Sequence, residues 1–136
     1  MNRREFIATT AAATLVPAAL SAEVAAYTPG MAKKALASGK TVFLDFSATW
    51  CSTCAAQDRV ITELRAENPA YDANITFIKV DWDDYGNGKL SNALKIPRRS
   101  TLVVLKGDKE LGRIVAGTAK KQIKKLMDTA LTAATT

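Results

Sequence analysis

Histidine is absent from the 136-residue chain. Every mechanism that needs an imidazole is therefore excluded, whether as the base of a Ser-His-Asp or Cys-His arrangement or as a metal ligand. Cysteine is nearly absent too: Cys51 and Cys54 are the whole inventory, so one intrachain bridge is the maximum and a multiply cross-linked scaffold is ruled out. Aromatic residues make up only 7%. Basic clusters interleaved with exposed aromatics, the mark of a nucleic-acid surface, do not occur, and no nucleic-acid partner is expected. Repeats and low-complexity linkers are missing, and beyond the first twenty or so residues no apolar run approaches the roughly 20 residues needed to span a bilayer.

What remains is 48% hydrophobic and 24% charged, the make-up of one small domain with a modest core. Nineteen Lys and Arg against thirteen Asp and Glu leave a net charge of +6, which favours acidic over basic partners without naming one. The positive charge gathers at Lys33-Lys34, at Arg98-Arg99, and at Lys120, Lys121, Lys124 and Lys125. The last four fall on one helical segment, where a solvated face is the simplest reading.

The chain opens Met1-Asn2-Arg3-Arg4-Glu5-Phe6-Ile7 and runs into an Ala- and Thr-rich apolar stretch broken by Pro17. This is the pattern of an export signal. Arg3-Arg4 with Phe6 resembles the twin-arginine variety, although Asn2 and Ala8 depart from its usual residues. Small residues at Val24-Ala25-Ala26 suit cleavage after Ala26, with cleavage after Ala22 as second choice. The expectation is a signal over 1–26, a mature domain over 27–136, and a periplasmic destination with no membrane insertion after cleavage. Arg3 and Arg4 offset Glu5 and Glu23, so the positive balance belongs to the mature domain.

Within 27–136 the patterning predicts helix, strand, helix, strand, helix, strand, strand, helix. Met31 to Ser38 forms a short exposed helix stopped by Gly39. Thr41 to Phe46 is apolar at nearly every position, as a central strand covered on both faces should be, and Asp45 alone interrupts it. Residues 51–67 read as a helix closed by Asn68-Pro69; Ile75 to Val80 is a second strand, Lys89 to Lys95 a short helix, and Thr101 to Leu105 a third strand. Lys106-Gly107-Asp108-Lys109 turns it back into Glu110 to Val115. Thr118 is the expected N-cap of a last helix with Ile123, Leu126, Met127 and Leu131 as its apolar stripe. Two strands joined by a helical crossover should be parallel and the later hairpin antiparallel. The fold class is therefore α/β: a mixed four-stranded sheet flanked by helices on both faces.

The chemistry sits at Trp50-Cys51-Ser52-Thr53-Cys54, where the first strand hands over to a helix. Residues three apart on a helix share a face, so the two sulfurs can meet. Free amides and the dipole at the helix start favour a thiolate at Cys51, which makes it the nucleophile. Cys54 lies deeper, where burial keeps a thiol protonated until it resolves a mixed disulfide. A zinc site lacks the four ligands it needs. A two-thiolate copper(I) site stays open as a non-enzymatic alternative. Asp81-Trp82-Asp83-Asp84-Tyr85-Gly86-Asn87-Gly88 fails as a calcium loop, because Tyr85 and Asn92 stand at ligand positions, and it reads as a polar turn. No metal site and no cofactor beyond a redox-active Cys51–Cys54 disulfide is expected.

The segment Phe43-Leu44-Asp45-Phe46-Ser47-Ala48-Thr49-Trp50-Cys51-Ser52-Thr53-Cys54 closely resembles the active-site strand and loop of thioredoxins, and the order of elements matches from 41 to 133. The resemblance implies a thioredoxin-like fold and a thiol-disulfide oxidoreductase acting on protein or small-molecule disulfides. By the same resemblance Asp45 corresponds to the buried acid that exchanges a proton with the resolving cysteine, and Lys79 to the lysine beside it. Trp50, Ile96 and Pro97 correspond to substrate-binding positions, Pro97 to the family's cis-proline opposite the cysteines. Three departures stand out. Arg98-Arg99-Ser100 intervene before the Thr101-Leu102 that would follow that proline directly, and two arginines there would make the groove electropositive. Ser52-Thr53 replaces both the Gly-Pro of thioredoxin and the His of strong oxidants, and is more like exported disulfide reductases. The family's first strand has no counterpart other than the 31–38 helix. The balance favours a reductase fed by a membrane electron relay, with an oxidase or isomerase as the alternative within the class.

Overall fold

The computed structural model describes residues 24–136. The arginine pair and apolar stretch of the expected export signal lie outside them; only Val24, Ala25 and Ala26 of that segment are described. In chain order the elements are β1 (Ala25–Ala26), α1 (Met31–Ala37), β2 (Thr41–Ser47), α2 (Ser52–Glu67), α3 (Ala70–Asn74), β3 (Ile75–Asp81), α4 (Trp82–Tyr85), α5 (Lys89–Ala93), β4 (Thr101–Lys106), β5 (Lys109–Val115) and α6 (Lys120–Thr135).

All seven residues of β2 are buried. A strand that shows water neither face must lie inside the sheet, and β2 does, in the order β1-β3-β2-β4-β5. β2 and β3 run parallel with Asp45 opposite Lys79, as the α2 crossover requires, while β4 is antiparallel to β2 and β5 to β4. The β4–β5 turn uses Gly107 at φ +61°, the left-handed conformation that glycine adopts without a steric cost.

Alternation along β2 divides the core in two. Phe43 packs with Ile61 and Leu64 of α2 and Ile123, Leu126 and Met127 of α6. Val42, Leu44 and Phe46 pack on the opposite face with Ala32, Val80, Val103 and Ile96. Asp45, two residues from Phe43, consequently points to the α2 side. Tyr71 is fully buried and donates to the Asp128 carboxylate, tying α3 to α6.

Two expectations need correction. The sheet has five strands, not four, because Ala25–Ala26 pairs in parallel with Ile78 and Lys79 on the far edge of β3. A two-residue strand made of alanine carries neither a β-branched nor an alternating signal, so it is invisible to patterning. The last helix begins at Lys120 with Ala119 at its N-cap position, one residue beyond Thr118.

Apolar faces rather than ion pairs should hold this architecture. Ile123 is fully buried between α6 and the sheet, and Ile123→Ala is expected to cost about 2–5 kcal/mol. Lys120 reaches Glu63 and Glu67 of α2 at 2.7 Å from an exposed position, so Lys120→Ala should leave the unfolding midpoint nearly unchanged. Urea unfolding of both variants checks the contrast.

Candidate active site

β2 ends at Ser47, and the chain turns through Ala48 and Trp50 to enter α2. Cys51 is the N-cap, with extended backbone, and its sulfur accepts the Cys54 amide at 3.1 Å. Cys54 sits one turn in, its Cα 5.2 Å from that of Cys51, and the two are joined as a disulfide. Both sulfurs are sheltered: Cys51 is 4% exposed and Cys54 1%. Ala48 and Trp82 pack against them. Cys51 borders a groove of about 520 Å³ whose walls include Thr49, Asp58, Lys79 and Asp81. Val24 and Ala26 line the same groove, so the short first strand belongs to the site as well as to the sheet.

At the wall of the groove and beneath it lie three ionisable groups. Asp45 is buried in β2, and its register partner Lys79 lies beside it on the same sheet face. Lys79 donates to Asp58 of α2 at 2.7 Å. Burial holds the Asp45 carboxyl well above its ordinary range; a shared hydrogen bond with Asp58 and the charge of Asp58 push it further, and Lys79 opposes them. A carboxyl in that condition holds or releases a proton nearer neutrality than a solvated aspartate does. Asp58 was not singled out by sequence, since a charged residue off the apolar stripe of a helix looks like an ordinary solvated one.

Opposite the cysteines the expectation needs correction. Pro97 is exposed, its peptide bond is trans, and Ile96 is buried in the second core cluster rather than facing a substrate. The residue directly before Thr101, and directly against the sulfurs, is Ser100. It is fully buried, and its Oγ lies 3.1 Å from both Cys51 Sγ and Cys54 Sγ. Arg98, Arg99 and Ser100 form the bend that carries the chain into β4, closed by the Thr101 hydroxyl donating to the Arg98 carbonyl at 2.7 Å. Gln57, also fully buried, donates from Nε2 to the carbonyls of Ser100 at 3.0 Å and Gly117 at 2.9 Å. Neither residue announces itself: a serine in a polar loop and a glutamine in a helix are ordinary surface residues by type.

The rim is formed by Trp50, 58% exposed. Its indole N–H donates to both carboxylate oxygens of Asp83, at 3.1 and 3.0 Å, and the Arg99 guanidinium lies 4.4 Å over its ring. The expected electropositive groove is accordingly of mixed charge, with Asp58, Asp81 and Asp83 close to Lys79 and Arg99. Asp81 caps α4 by accepting the Asp83 amide at 2.9 Å, and among the described residues no group of three or more Cys, Asp or Glu is placed to hold a metal ion.

A family model described as Thioredoxin matches residues 23–129. Thioredoxin H2-1 of Oryza sativa subsp. japonica is 31% identical over 90 residues, 66% of this chain and 60% of that protein, so the match spans less than two thirds of the rice protein's length. A thioredoxin H-type of Fagopyrum esculentum is 31% identical over 94 residues, covering 69% of this chain and 76% of the relative. Among solved structures, Trxlp from Edwardsiella tarda superposes with a TM-score of 0.68 at 27% identity, covering 77% of this chain and 98% of that one.

The state of Asp45 is open to test through stability. Its ordinary value is 3.8 and the folded chain raises it, so the protonated form is preferred on folding. The stabilisation this gives is complete below the unfolded value and is lost as pH rises through the folded one. Asp45→Asn, which cannot ionise, should therefore gain stability relative to the native chain as pH increases. Urea midpoints measured from mildly acid to mildly alkaline pH should diverge; parallel curves would show that Asp45 titrates normally.

Proposed function

The chain belongs to the thioredoxin family, and from that premise we propose that it is an exported protein-disulfide reductase, supplied with electrons by a membrane relay. The observation that carries the redox reading is the position of Cys51: capping α2, bordering an open groove, and bridged to the cysteine one turn behind it.

In the reducing direction the Cys51 thiolate attacks one sulfur of a substrate disulfide. A Cys51–substrate disulfide forms and the other substrate sulfur leaves as a thiolate that takes up a proton. Cys54 then gives its proton to Asp45 and attacks Cys51, closing the internal disulfide and expelling the second substrate thiolate. Two electrons pass to the substrate, and the relay returns them by the reverse exchange. Asp45 is suited to the proton step because burial and Asp58 raise its affinity for a proton. Lys79 limits that rise and holds Asp58 in place. Trp50 offers an apolar rim for the substrate chain. Pro97 and Ile96 have no part in this reading, since the place against the sulfurs is taken by Ser100 and Ile96 is core.

The direction rests on Ser52-Thr53. No cation stands between the cysteines to stabilise the thiolate as strongly as in the oxidising members, so the couple should lie nearer to about −270 mV than to about −120 mV. Export rests on Arg3-Arg4 and the apolar run after it. Val24 packs on the main core and Ala25–Ala26 forms β1. A cut after Ala26 would strip a strand from the sheet and a wall from the groove, whereas a cut after Ala22 preserves both. The reading therefore takes the latter site.

Two measurements test these statements. Cys54→Ser should accumulate mixed disulfides with client proteins through Cys51 in the native compartment, and Cys51→Ser should abolish them together with insulin reduction. Cysteine-independent adducts, or a native chain that does not reduce insulin, would refute the reading. The intact mass of the exported protein should place its first residue at Glu23; a first residue at Tyr27 would overturn the processing site.

A further inference from the structure

Ser100 is anchored more completely than any loop serine needs to be. Its amide donates to the Phe46 carbonyl at 2.7 Å, and its own carbonyl accepts the Ala116 amide at 2.8 Å and Gln57 Nε2 at 3.0 Å. Its φ of +64° lies in the left-handed region, as does that of Ala116 at +63°. Non-glycine residues rarely adopt it, and proline, locked near −65°, cannot. With every backbone group engaged and the residue fully buried, only the hydroxyl torsion is left to vary. That hydroxyl is 3.1 Å from each sulfur. A bridged sulfur carries no hydrogen, so the serine is the donor.

We propose that Ser100 is a catalytic residue of the thiol-disulfide exchange: a hydroxyl fixed equidistant from both sulfurs, which donates its hydrogen bond to whichever one bears the negative charge, with Gln57 as its positioning residue. The inference rests on the redox reading above. As Cys51 becomes a thiolate, the O–H turns to it. Once Cys51 is bonded to substrate and Cys54 has lost its proton, a rotation about the Cβ–Oγ bond alone redirects the O–H to Cys54. When Cys54 attacks Cys51, one S–S bond forms, one breaks, and the charge leaves on the substrate sulfur. No proton is transferred from Ser100 at any point, so the residue is unchanged over the cycle.

A hydrogen bond to an ionised sulfur is worth about twice one to a neutral partner, and bridged sulfurs carry no charge. Ser100 therefore favours the reduced, ionised state over the disulfide. It supplies part of the thiolate stabilisation that oxidising members obtain from a histidine, which this chain lacks. Gln57 acts only through the backbone of Ser100, because its amide touches that carbonyl and not a sulfur.

The experiment reads the rate of Cys51 alkylation by iodoacetamide against pH in the full reduced chain, together with its equilibrium against a glutathione buffer. Ser100→Ala removes the hydroxyl and keeps the β carbon. Ser100→Gly removes it while relieving the left-handed backbone, which gives a second variant without the hydroxyl and without the strain. Both should move the alkylation midpoint up by about one pH unit, a tenfold loss of thiolate below it. Both should also shift the glutathione equilibrium at alkaline pH about tenfold toward the disulfide, which is about 30 mV more reducing. Asp58, Lys79 and Asp81 around the groove, Asp45 beneath it, and Arg99 and Asp83 at the rim are retained in both variants, so the shift belongs to the hydroxyl. Gln57→Ala should give a smaller shift of the same sign. A purely structural serine would alter the urea midpoint and leave both redox readouts in place, which overturns the proposal. A native chain that fails to cycle between dithiol and disulfide overturns the redox reading and this proposal with it; a cycling chain with unmoved variants overturns this proposal alone.

Discussion

At the junction of β2 and α2 the Cys54 amide donates to the Cys51 sulfur at 3.1 Å. The other features of the site are arranged around that contact. It exists because the start of a helix leaves backbone amides without intrahelical acceptors, and the N-cap side chain is the group placed to receive one. Where that side chain is a sulfur, the amide that caps the helix also stabilises a thiolate. Capping and activation are thus one interaction. The junction is held in place from below, since β2 is buried along its whole length and fixed in register by β3 on one side and β4 on the other. A strand so constrained delivers Cys51 to the same place in every molecule, which a nucleophile on a free loop would not achieve.

The cost of the site is visible in the groups that the core would do better without. Asp45 interrupts an otherwise apolar strand, and one of its carboxylate oxygens is buried without a hydrogen-bond partner. Replacing it with an apolar residue of similar size would remove that burden. Two left-handed residues, Ser100 and Ala116, meet through one hydrogen bond beside the sulfurs. Strained backbone of this kind persists only where surrounding bonds over-determine it, and here Phe46 and Gln57 supply them. The ion pair of Lys79 with Asp58 is half exposed and contributes little to stability by itself. Its consequence is local: it fixes the charge that faces Asp45.

Most of the architecture was legible in the sequence, because the long elements carry strong periodic signals. The apolar run of β2, the Gly107 turn of the β4–β5 hairpin and the stripe of α6 each leave one physical solution. The Cys51–Cys54 pair was legible for the same reason, since its spacing and its place after a buried strand are chemical as well as positional information. What escaped reading had no such signal. β1 is two alanines whose strand pairing comes from the exposed edge of β3 and not from their own preference. Asp58 and Gln57 are ordinary helix residues until α2 docks and turns one to Lys79 and buries the other. The misplacement of Pro97 is of another kind. Pro97 lies three residues ahead of Ser100, the residue that occupies the place against the sulfurs, and residue type alone gives no sign of that offset. The decisive fact is the backbone: Thr101 opens β4, so whatever precedes it must face the cysteines, and that is Ser100.

The contrast between the floor of the site and its rim bears on how such a protein meets varied substrates. Around the sulfurs, Ser100 and Gln57 are fully buried, each hydrogen-bonded to backbone, and the geometry cannot drift without breaking several bonds at once. At the rim, Trp50 stands well exposed, held among the described residues by an indole N–H on Asp83 and a guanidinium against its face. The contact with Asp83 is exposed, weakened by water and salt, and easily exchanged for contacts with an arriving chain, while Arg99 is half-buried. Exchange at sulfur requires near-linear approach of three sulfur atoms and rewards rigidity, whereas accommodating many polypeptides rewards a rim that yields. Fixing the sulfurs through backbone while leaving the aromatic rim on exchangeable charges meets both requirements with one short stretch of chain on either side of the groove.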